Sequence, residues 1–302
     1  MVNYRVLITG ASGFIGTHLL QSLVRYNCDI LAISRSPQTE QSEGSVIWLE
    51  ADLSQPSTYK AKVEDFSPEV IIHLAWQDIP DFSFEKSINN LQQSLEFLSF
   101  VSDLGSCKKI LVSGSCWEIN QLNVGSPDTH RFNPMKHFTW AKNSLRSWLE
   151  MKCLEMEIQF AWFRIFYVYG PKQRDASLIP SILTNLKEGR LPQIKTPYNS
   201  SDYIFIDDVV DAFMKAVSQD FSSGIYNLGT GTSASVLEIC SLAEKIVLGS
   251  NTLTKNLQRN LGPDSGHSNF SADTNKTTKI LGWTSKTTLE SGIKKTWQYI
   301  KA

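Results

Sequence analysis

Several features that mark special classes of protein are missing from this sequence of 302 residues. No apolar run reaches the roughly 18 residues that a membrane-spanning helix needs, and the N-terminus lacks the basic and apolar pattern of a secretion signal. Lysine plus arginine (29) nearly equals aspartate plus glutamate (30), so no excess of charge indicates a nucleic-acid or membrane partner. We therefore expect a globular protein of the cytoplasm.

Cysteine is scarce, and its spacing argues against two kinds of site. The five cysteines are odd in number, and none of them forms a C-x-x-C pair. We interpret them as reduced thiols, with no disulfide framework and no metal site. They are Cys28, Cys107, Cys116, Cys153 and Cys240.

The first two thirds of the sequence alternate between apolar strands and helical patterns. Near-continuous apolar runs are typical of parallel strands that are covered on both faces, and the alternation gives βαβ units. We predict an α/β fold with a doubly wound parallel Rossmann sheet. The predicted strands are Arg5–Thr9, Ile30–Ser34, Val46–Glu50, Val70–Leu74, Ile110–Ser113 and Phe160–Phe166, and the predicted helices lie near 14–26, 57–65, 85–104 and 135–155.

The pattern changes after Gly170, where prolines separate shorter elements. We predict a nucleotide-binding domain over residues 1–170 and a smaller C-terminal substrate-binding cap over residues 171–302. Residues 203–231 are expected to return to the first domain, with Tyr203–Ile206 and Ile225–Leu228 rejoining its main sheet.

The helix predicted at 85–104 carries two apolar stripes. A helix that is apolar on two sides is usually buried on two sides, so we predict a homodimer whose interface includes Phe97 or Phe100; a covering loop is the alternative. One stripe comprises Ile88, Leu91, Leu95, Leu98 and Val101, and the other Phe97, Phe100 and Leu104.

A glycine-rich segment follows the first strand and opens the first helix. Gly10-Ala11-Ser12-Gly13-Phe14-Ile15-Gly16 has the G-x-x-G-x-x-G spacing that lets the backbone approach a pyrophosphate at a helix N-terminus. The second predicted strand ends in Ser34-Arg35, where an NAD site needs a carboxylate for the ribose hydroxyl. Arginine and serine suit a 2′-phosphate instead, so we predict NADP, with NAD as the alternative.

Motifs along nearly the whole chain resemble those of the extended short-chain dehydrogenases/reductases of the nucleotide-sugar epimerase/dehydratase family. Within this family, three segments most resemble the branch that contains abequose and paratose synthases, which reduce C4 ketones of CDP-linked deoxysugars for bacterial surface polysaccharide. These segments are His73-Leu74-Ala75-Trp76, Gly114-Ser115-Cys116-Trp117-Glu118, and Phe166–Gly170 followed by Ser177-Leu178-Ile179-Pro180. Those of the wider family include Gly10–Gly16, Asp52-Leu53, Asn90, Arg164–Pro171, Ile206–Val209, Tyr226–Gly229 and Leu281-Gly282-Trp283.

The resemblance implies roles for individual residues. Ser115 would hydrogen-bond the sugar oxygen, and Lys142 would hold the nicotinamide ribose. The other implied cofactor-binding residues are Asp52, Leu53, Leu74, Ala75 and Asn90, and the implied substrate-binding residues are Trp76, Cys116, Tyr167, Lys172 and Arg174. The last two are candidates because Ser200-Ser201 stands where family members often place an arginine for the diphosphate.

One residue departs from the family's chemistry. The tyrosine that moves the proton should lie four residues before Lys142, and that position is Phe138; no tyrosine occurs between Tyr59 and Tyr167. Three groups are candidates to replace the phenol: Tyr167, His137 and, if its pKa is depressed, Lys142.

The family motifs, taken together with the missing tyrosine, leave three functions open. The first is an NADP-dependent 4-ketoreductase or epimerase acting on a nucleotide sugar, with a relocated proton donor. The second is a nucleotide-binding pseudoenzyme of the same fold. The third is a nucleotide-sugar isomerase whose chemistry does not need the tyrosine.

Overall fold

A computed structural model describes residues 4–36, 46–119, 136–192, 194–259 and 269–302. Its strands are β1 (Arg5–Thr9), β2 (Asp29–Ser34), β3 (Val46–Glu50), β4 (Val70–His73), β5 (Lys109–Ser115), β6 (Gln159–Ile165), β7 (Tyr167–Tyr169), β8 (Ser200–Ser201), β9 (Tyr203–Phe205), β10 (Gly224–Leu228), β11 (Ala234–Ser235) and β12 (Asn269–Phe270).

Helices alternate with the strands through the first two thirds of the chain, as predicted. They are α1 (Phe14–Arg25), α2 (Lys60–Phe66), α3 (Phe84–Ser102), α4 (Lys136–Glu155), α5 (Leu178–Lys187), α6 (Ile206–Ser218), α7 (Val236–Leu248), α8 (Thr252–Arg259), α9 (Asn275–Leu281) and α10 (Leu289–Lys301), with 3-10 turns at Pro56–Thr58 and Cys116–Glu118. Along the described part of the chain, no helix is both long and apolar enough to cross a bilayer.

The main sheet has seven strands in the order β10-β6-β5-β4-β1-β2-β3. Strands β3, β2, β1, β4 and β5 pair in parallel, each with its neighbour. From β1 the chain builds outward to β2 and β3 on one side and then to β4 and β5 on the other. The strand order therefore reverses between β1 and β4, where doubly wound sheets bind their ligands. The predicted Rossmann fold is confirmed.

The chain divides into two compact units. The first unit comprises Met1–Arg164 and Phe213–Tyr226, and the second comprises Ile165–Ala212 and Asn227–Ala302. The second unit contains a two-stranded sheet of β7 and β9 and a three-stranded sheet in the order β11-β8-β12.

The expectation that Tyr203–Ile206 rejoins the main sheet is wrong. Strand β9 pairs in parallel with β7, with Tyr203 opposite Tyr167, whereas β10 does join the main sheet. The apolar run at 203–206 predicts a strand but carries no local signal for its partner, because pairing depends on residues distant in sequence.

Of the two residues predicted at a dimer interface, Phe97 or Phe100, the structure excludes Phe97. Phe97 is fully buried, with its ring centroid 5.5 Å from that of Tyr59 and 5.5 Å from that of His73. Phe100 and Leu104 of the same stripe are only partly buried and pack against the core of the first unit. The second stripe of α3 is thus covered from within the chain.

Candidate active site

The glycine loop is closely packed at both ends. Gly10 has φ +69°, and a Cβ atom there would lie 2.9 Å from the Ala75 backbone nitrogen. A Cβ atom on Gly16 would lie 2.2 Å from the Gly10 carbonyl oxygen. Only glycine fits these two positions, so the loop is held tightly between the start of α1 and the end of β4.

The start of α1 leaves backbone donors for a ligand. Gly13 occupies the N-cap position and provides no side-chain acceptor, and the first turn contains no acidic residue. Unsatisfied N–H groups and the positive end of the helix dipole favour an anion at such a terminus. The loop therefore fits the pyrophosphate of a dinucleotide.

A cavity opens at this loop, at the carboxyl ends of β1, β2 and β4. Nine of the fourteen residues predicted to bind cofactor line it, together with Trp76, which was predicted to bind substrate. The nine are Gly10, Ser12, Gly13, Ser34, Arg35, Leu53, Leu74, Ala75 and Asn90. Of the described residues, Phe14, Ile15, Gly16, Asp52 and Lys142 were also predicted to bind cofactor but are not among those lining the cavity.

Six further lining residues were not predicted from the sequence. Each lies beside a predicted residue or one helical turn from Asn90, and that adjacency is the signal that could have found them. They are Thr9, Ile33, Ala51, Gln77, Gln93 and Ser94.

Hydroxyl groups and a guanidinium lie together where β2 ends. The Ser34 and Ser12 hydroxyl oxygens are 2.9 Å apart, and the Ser34 hydroxyl donates to the Ser36 carbonyl at 2.9 Å. Arg35 is exposed, and its Nη1 donates to the Gln77 side-chain oxygen at 3.2 Å. These groups are donors of the kind that bind a phosphate.

Asn90 joins α3 to the segment after β4. Its side-chain oxygen accepts the Gln77 backbone N–H at 2.6 Å, and its amide nitrogen donates to the carbonyls of Gln77 at 3.3 Å and Lys86 at 2.8 Å. The Gln77 amide in turn donates to the Gln93 oxygen at 3.1 Å. Asn90 therefore shapes one wall of the cavity.

His73 is buried behind this wall as a neutral imidazole. Its Nδ1 lies 2.9 Å from the Thr9 hydroxyl and its Nε2 lies 3.1 Å from the Ser94 hydroxyl. Burial, with a smaller contribution from the charge of Lys142, lowers the pKa of His73 to about 3. His73 thus fixes two hydroxyl groups that line the cavity.

Phe138 lies in an aromatic cluster formed with Trp76 and Phe82. Its ring centroid is 5.4 Å from that of Trp76 and 5.1 Å from that of Phe82, both in edge-to-face arrangements. In the sequence, Phe138, Ala141, Leu145 and Leu149 form an apolar stripe that predicts the buried face of this helix, and all four are buried. The sequence also predicts Asn133 and Pro134 as the start of α4, and both lie outside the described part of the chain.

Lys142, one turn after Phe138, is buried. Its ammonium donates to the Ser113 carbonyl oxygen at 2.9 Å and lies 4.1 Å from the Trp76 ring centroid and 5.9 Å from that of Trp162. Desolvation lowers the pKa of Lys142 to about 8, and Glu118 acts in the opposite direction. The sequence predicted Lys142 but not its contact with Trp76.

Ser115 lies at the junction between β5 and a 3-10 turn. Its hydroxyl accepts the Trp117 backbone N–H at 3.2 Å, and its own N–H donates to the Glu118 carboxylate at 2.6 Å. That carboxylate is buried and also accepts from Trp162 Nε1 at 2.7 Å and Arg164 Nε at 3.2 Å. Glu118 belongs to the motif Gly114–Glu118, but the sequence predicts no role for it.

The other predicted groups lie in different surroundings. His137 packs edge-on against Phe84, with 5.5 Å between ring centroids, and Cys116 is buried. In the second unit the Tyr167 ring lies 5.6 Å from that of Tyr203, while Lys172 and Arg174 are exposed. No three or more His, Cys, Asp or Glu side chains among the described residues cluster closely enough to hold a metal ion.

Comparison with known proteins identifies the family. Residues 6–229 match the NAD dependent epimerase/dehydratase family. The chain belongs to this family. The family membership predicted from the ordered motifs is thereby confirmed.

Two curated members of the epimerase/dehydratase family match almost from end to end. CDP-abequose synthase of Salmonella muenchen is 25% identical over 310 residues, which cover 97% of each chain. UDP-glucose 4-epimerase of Mycolicibacterium smegmatis is 26% identical over 315 residues, which cover 98% of each chain.

Solved structures share the fold. A UDP-glucose 4-epimerase from Thermotoga maritima, in complex with UDP-glucose, has a TM-score of 0.81 and 24% identity, with 98% of each chain covered. The Bordetella bronchiseptica enzyme WbmG, in complex with NAD, has a TM-score of 0.80 and 19% identity, with 99% of this chain and 94% of that chain covered.

Proposed function

We propose that this chain is an NADP-dependent nucleotide-sugar 4-ketoreductase or epimerase that serves deoxysugar synthesis for bacterial surface polysaccharide. The observation that carries the proposal is the cavity at the carboxyl ends of β1 and β4, which is lined by the glycine loop and the end of β2. The names of its relatives, a CDP-abequose synthase and a UDP-glucose 4-epimerase, support a nucleotide-sugar substrate.

The residues of the first unit fit a nicotinamide dinucleotide. The loop at Gly10–Gly16 would hold the pyrophosphate, Ser34 and Arg35 the 2′-phosphate, and Asp52-Leu53 the adenine, with Leu74, Ala75, Asn90 and Lys142 toward the nicotinamide. When bound, this cofactor supplies or accepts a hydride. NAD is the alternative, because the WbmG structure contains NAD.

The proposed substrate contacts are those that the family resemblance implies. In the first unit, Ser115 would hydrogen-bond the reacting oxygen, with Trp76 and Cys116 nearby. In the second, proposed as the substrate-binding cap, Tyr167 would contact the sugar. Lys172 or Arg174 would supply the positive charge for the diphosphate that Ser201 lacks.

One observation favours a second function, that of a nucleotide-binding pseudoenzyme. The Trp76 indole lies over the Lys142 ammonium and against Phe138, which has no proton to donate. A protein that keeps the cofactor for assembly or regulation tolerates such a covered lysine.

We further propose a cytoplasmic homodimer that associates through α4 rather than through Phe97. Trp140, Met151 and Leu154 are 47%, 64% and 82% exposed. They fall within about 60° of one another around the helix, on the side that is named here the α4 face.

The function can be tested by incubating the protein with NADPH and a panel of 4-keto-sugar nucleotides. Stoichiometric oxidation of NADPH identifies a ketoreductase. In a second incubation, with NADP⁺ and nucleotide sugars that carry a C4 hydroxyl, an inverted C4 configuration without net change of the cofactor identifies an epimerase. If both ligands bind calorimetrically and neither changes, the protein is a pseudoenzyme. If neither NADPH nor NADH binds, the proposal is wrong.

A further inference from the structure

Lys142 is a titratable side chain that is buried one helical turn from Phe138. Its ammonium has a single hydrogen-bond partner among the described residues, the Ser113 carbonyl at 2.9 Å. An ammonium carries three N–H donors, so Lys142 can donate more hydrogen bonds than this one. The Trp76 ring lies against the ammonium, and Trp76 also lines the cofactor cavity. Lys142 therefore lies one side chain away from that cavity.

We propose that Lys142 itself protonates the sugar oxygen during reduction, and that Glu118 is the positioning residue that keeps Lys142 charged and Ser115 in place. This inference rests on the proposed ketoreductase function. It assigns to Lys142 the proton that a phenol at position 138 would otherwise supply.

The step balances with one reductant, a reduced nicotinamide dinucleotide. The carbonyl carbon gains a hydride, the C=O π bond breaks, and its electron pair goes to the oxygen. That oxygen takes a proton from the Lys142 ammonium, which becomes a neutral amine. Water then returns a proton to the amine. Ser115 donates a hydrogen bond to the oxygen as its negative charge develops.

Glu118 is placed to act on both groups. Its carboxylate accepts the Ser115 N–H at 2.6 Å, which fixes the residue that carries the hydroxyl. Trp162 Nε1 donates to the same carboxylate at 2.7 Å, and the Trp162 ring also faces the Lys142 ammonium. Arg164 pairs with the carboxylate at 3.2 Å and so balances part of its charge.

Few charged or titratable groups act on Lys142. Glu118 raises its pKa, and desolvation lowers it to about 8. His73 contributes no positive charge near neutrality, because its pKa is about 3. The other neighbours are the Ser113 carbonyl and the rings of Trp76 and Trp162, which favour the ammonium. An ammonium with a pKa near 8 is charged at neutral pH and releases its proton readily.

The test combines direct titration of Lys142 with single-turnover kinetics. Protein labelled with ¹³C at the lysine ε-carbon is titrated by NMR, and Lys142→Arg assigns the resonance. NADPH oxidation by a 4-keto-sugar nucleotide is followed across the same pH range. We expect the rate to fall above the pH at which Lys142 loses its proton, near 8.

The Glu118→Gln variant should lower the midpoint of the Lys142 NMR titration and the midpoint of the pH–rate profile together. The reason is that the charge that raises the pKa of Lys142 is gone. Glu118→Asp, which keeps the charge, should restore them in part. Glu244→Gln is the matched control, since Glu244 is a buried carboxylate of the second unit that accepts from Leu253 and Thr254. This control should leave both midpoints unchanged.

Lys142→Arg separates proton transfer from cofactor binding. It keeps a positive charge but cannot release a proton near neutral pH. We expect calorimetric NADPH affinity to stay within a few-fold and the single-turnover rate to fall by about 10²–10⁴.

Two results would overturn the assignment while leaving the proposed function intact. One is a native-like rate in Lys142→Arg, above all if Tyr167→Phe abolishes turnover. The other is a rate midpoint that stays fixed in Glu118→Gln while the Lys142 resonance shifts. By contrast, a native protein that binds NADPH but reduces none of the sugars refutes the proposed function, and this inference with it.

Discussion

Phe138 is the residue on which the functional interpretation depends most. The sequence identified it as the replacement for the family's tyrosine because it lies four residues before Lys142. The structure adds its neighbours, Trp76 and Phe82, which lie about sixty residues earlier in the chain. No local pattern predicts such contacts. The position was therefore predictable, whereas its apolar surroundings and the covered lysine were not.

His73 should make the protein sensitive to acid. Its pKa is about 3 when folded, against an ordinary 6.5, so the unfolded chain binds a proton that the folded chain does not. The free energy of unfolding should therefore fall as pH drops from about 6.5 toward 3, by up to about 1.4 kcal/mol per pH unit from this group. Urea unfolding at pH 7, 6 and 5 measures the slope.

Replacing the imidazole tests the cause of that slope. His73→Gln should be less stable at pH 7, because the Thr9 and Ser94 hydrogen bonds change, yet it should lose less stability between pH 6.5 and 5. If the variant and the native protein have equal slopes, His73 is not the group responsible.

Arg35 should set the preference between NADPH and NADH. Because its guanidinium lies at the end of β2 beside the cavity, Arg35→Glu replaces an attraction for the 2′-phosphate with a repulsion. We expect NADPH affinity to fall about tenfold or more, with NADH affinity nearly unchanged. Calorimetric titration of both cofactors measures this.

Arg25→Glu is the matched control for this substitution. Arg25 is exposed at the far end of α1, roughly 18 Å along the helix from the glycine loop. The Arg25→Glu variant makes the same change of charge far from the cavity, so it should leave the affinities for NADPH and NADH unchanged. Equal losses in the two variants would mean that net charge, not a phosphate contact, governs binding.

Helices and strands that carry a strong periodic pattern were predictable from the sequence. The strands with which they pair were less predictable. The apolar runs predicted β1 to β6, and the α4 stripe predicted the buried face of that helix. The predicted helix at 57–65 begins instead as a 3-10 turn at Pro56–Thr58 before α2. Strand β9 paired with β7 because the partner of a short strand depends on tertiary contacts that its own residues do not encode.

The end of β5 should not tolerate a side chain at Gly114. A Cβ atom there would lie 2.1 Å from Trp162 Nε1 and 2.8 Å from the Glu118 carboxylate. We expect Gly114→Ala to destabilise the fold by about 1–3 kcal/mol, the usual cost of overpacking, and to slow turnover by displacing Ser115. Gly105→Ala is the control, since its Cβ would have no neighbour within 4 Å. Equal stability of the two variants in urea would contradict the packing argument.

The α4 face should hold the proposed dimer together. A charged side chain at an apolar interface must lose its water shell, so Leu154→Lys should dissociate the dimer. Tyr299→Lys in α10, where the ring is also about half exposed, is the control and should leave it intact. Sedimentation equilibrium at micromolar concentration distinguishes the states. A native protein that is already monomeric refutes the proposal.

The whole molecule carries the full glycine loop, and Phe138 stands where the family resemblance implies a tyrosine. The order of motifs along the chain was enough to predict the Rossmann fold and the family, because both depend on many positions at once. The site was predictable where backbone geometry demands a particular residue, as at Gly10 and Gly16. The network of Glu118 with Ser115 and Trp162 was not, because buried polar partners come together only in the folded chain.

Transfer of deuterium from NADPH labelled at its reactive C4 position tests the central claim most directly. The native protein is mixed with labelled NADPH and a nucleotide-linked 4-keto-sugar in a single turnover, and the product is analysed by mass spectrometry and NMR. The account predicts one deuterium on C4 of the sugar for each NADPH oxidised. A protein that binds both ligands yet leaves the label on the cofactor would contradict it.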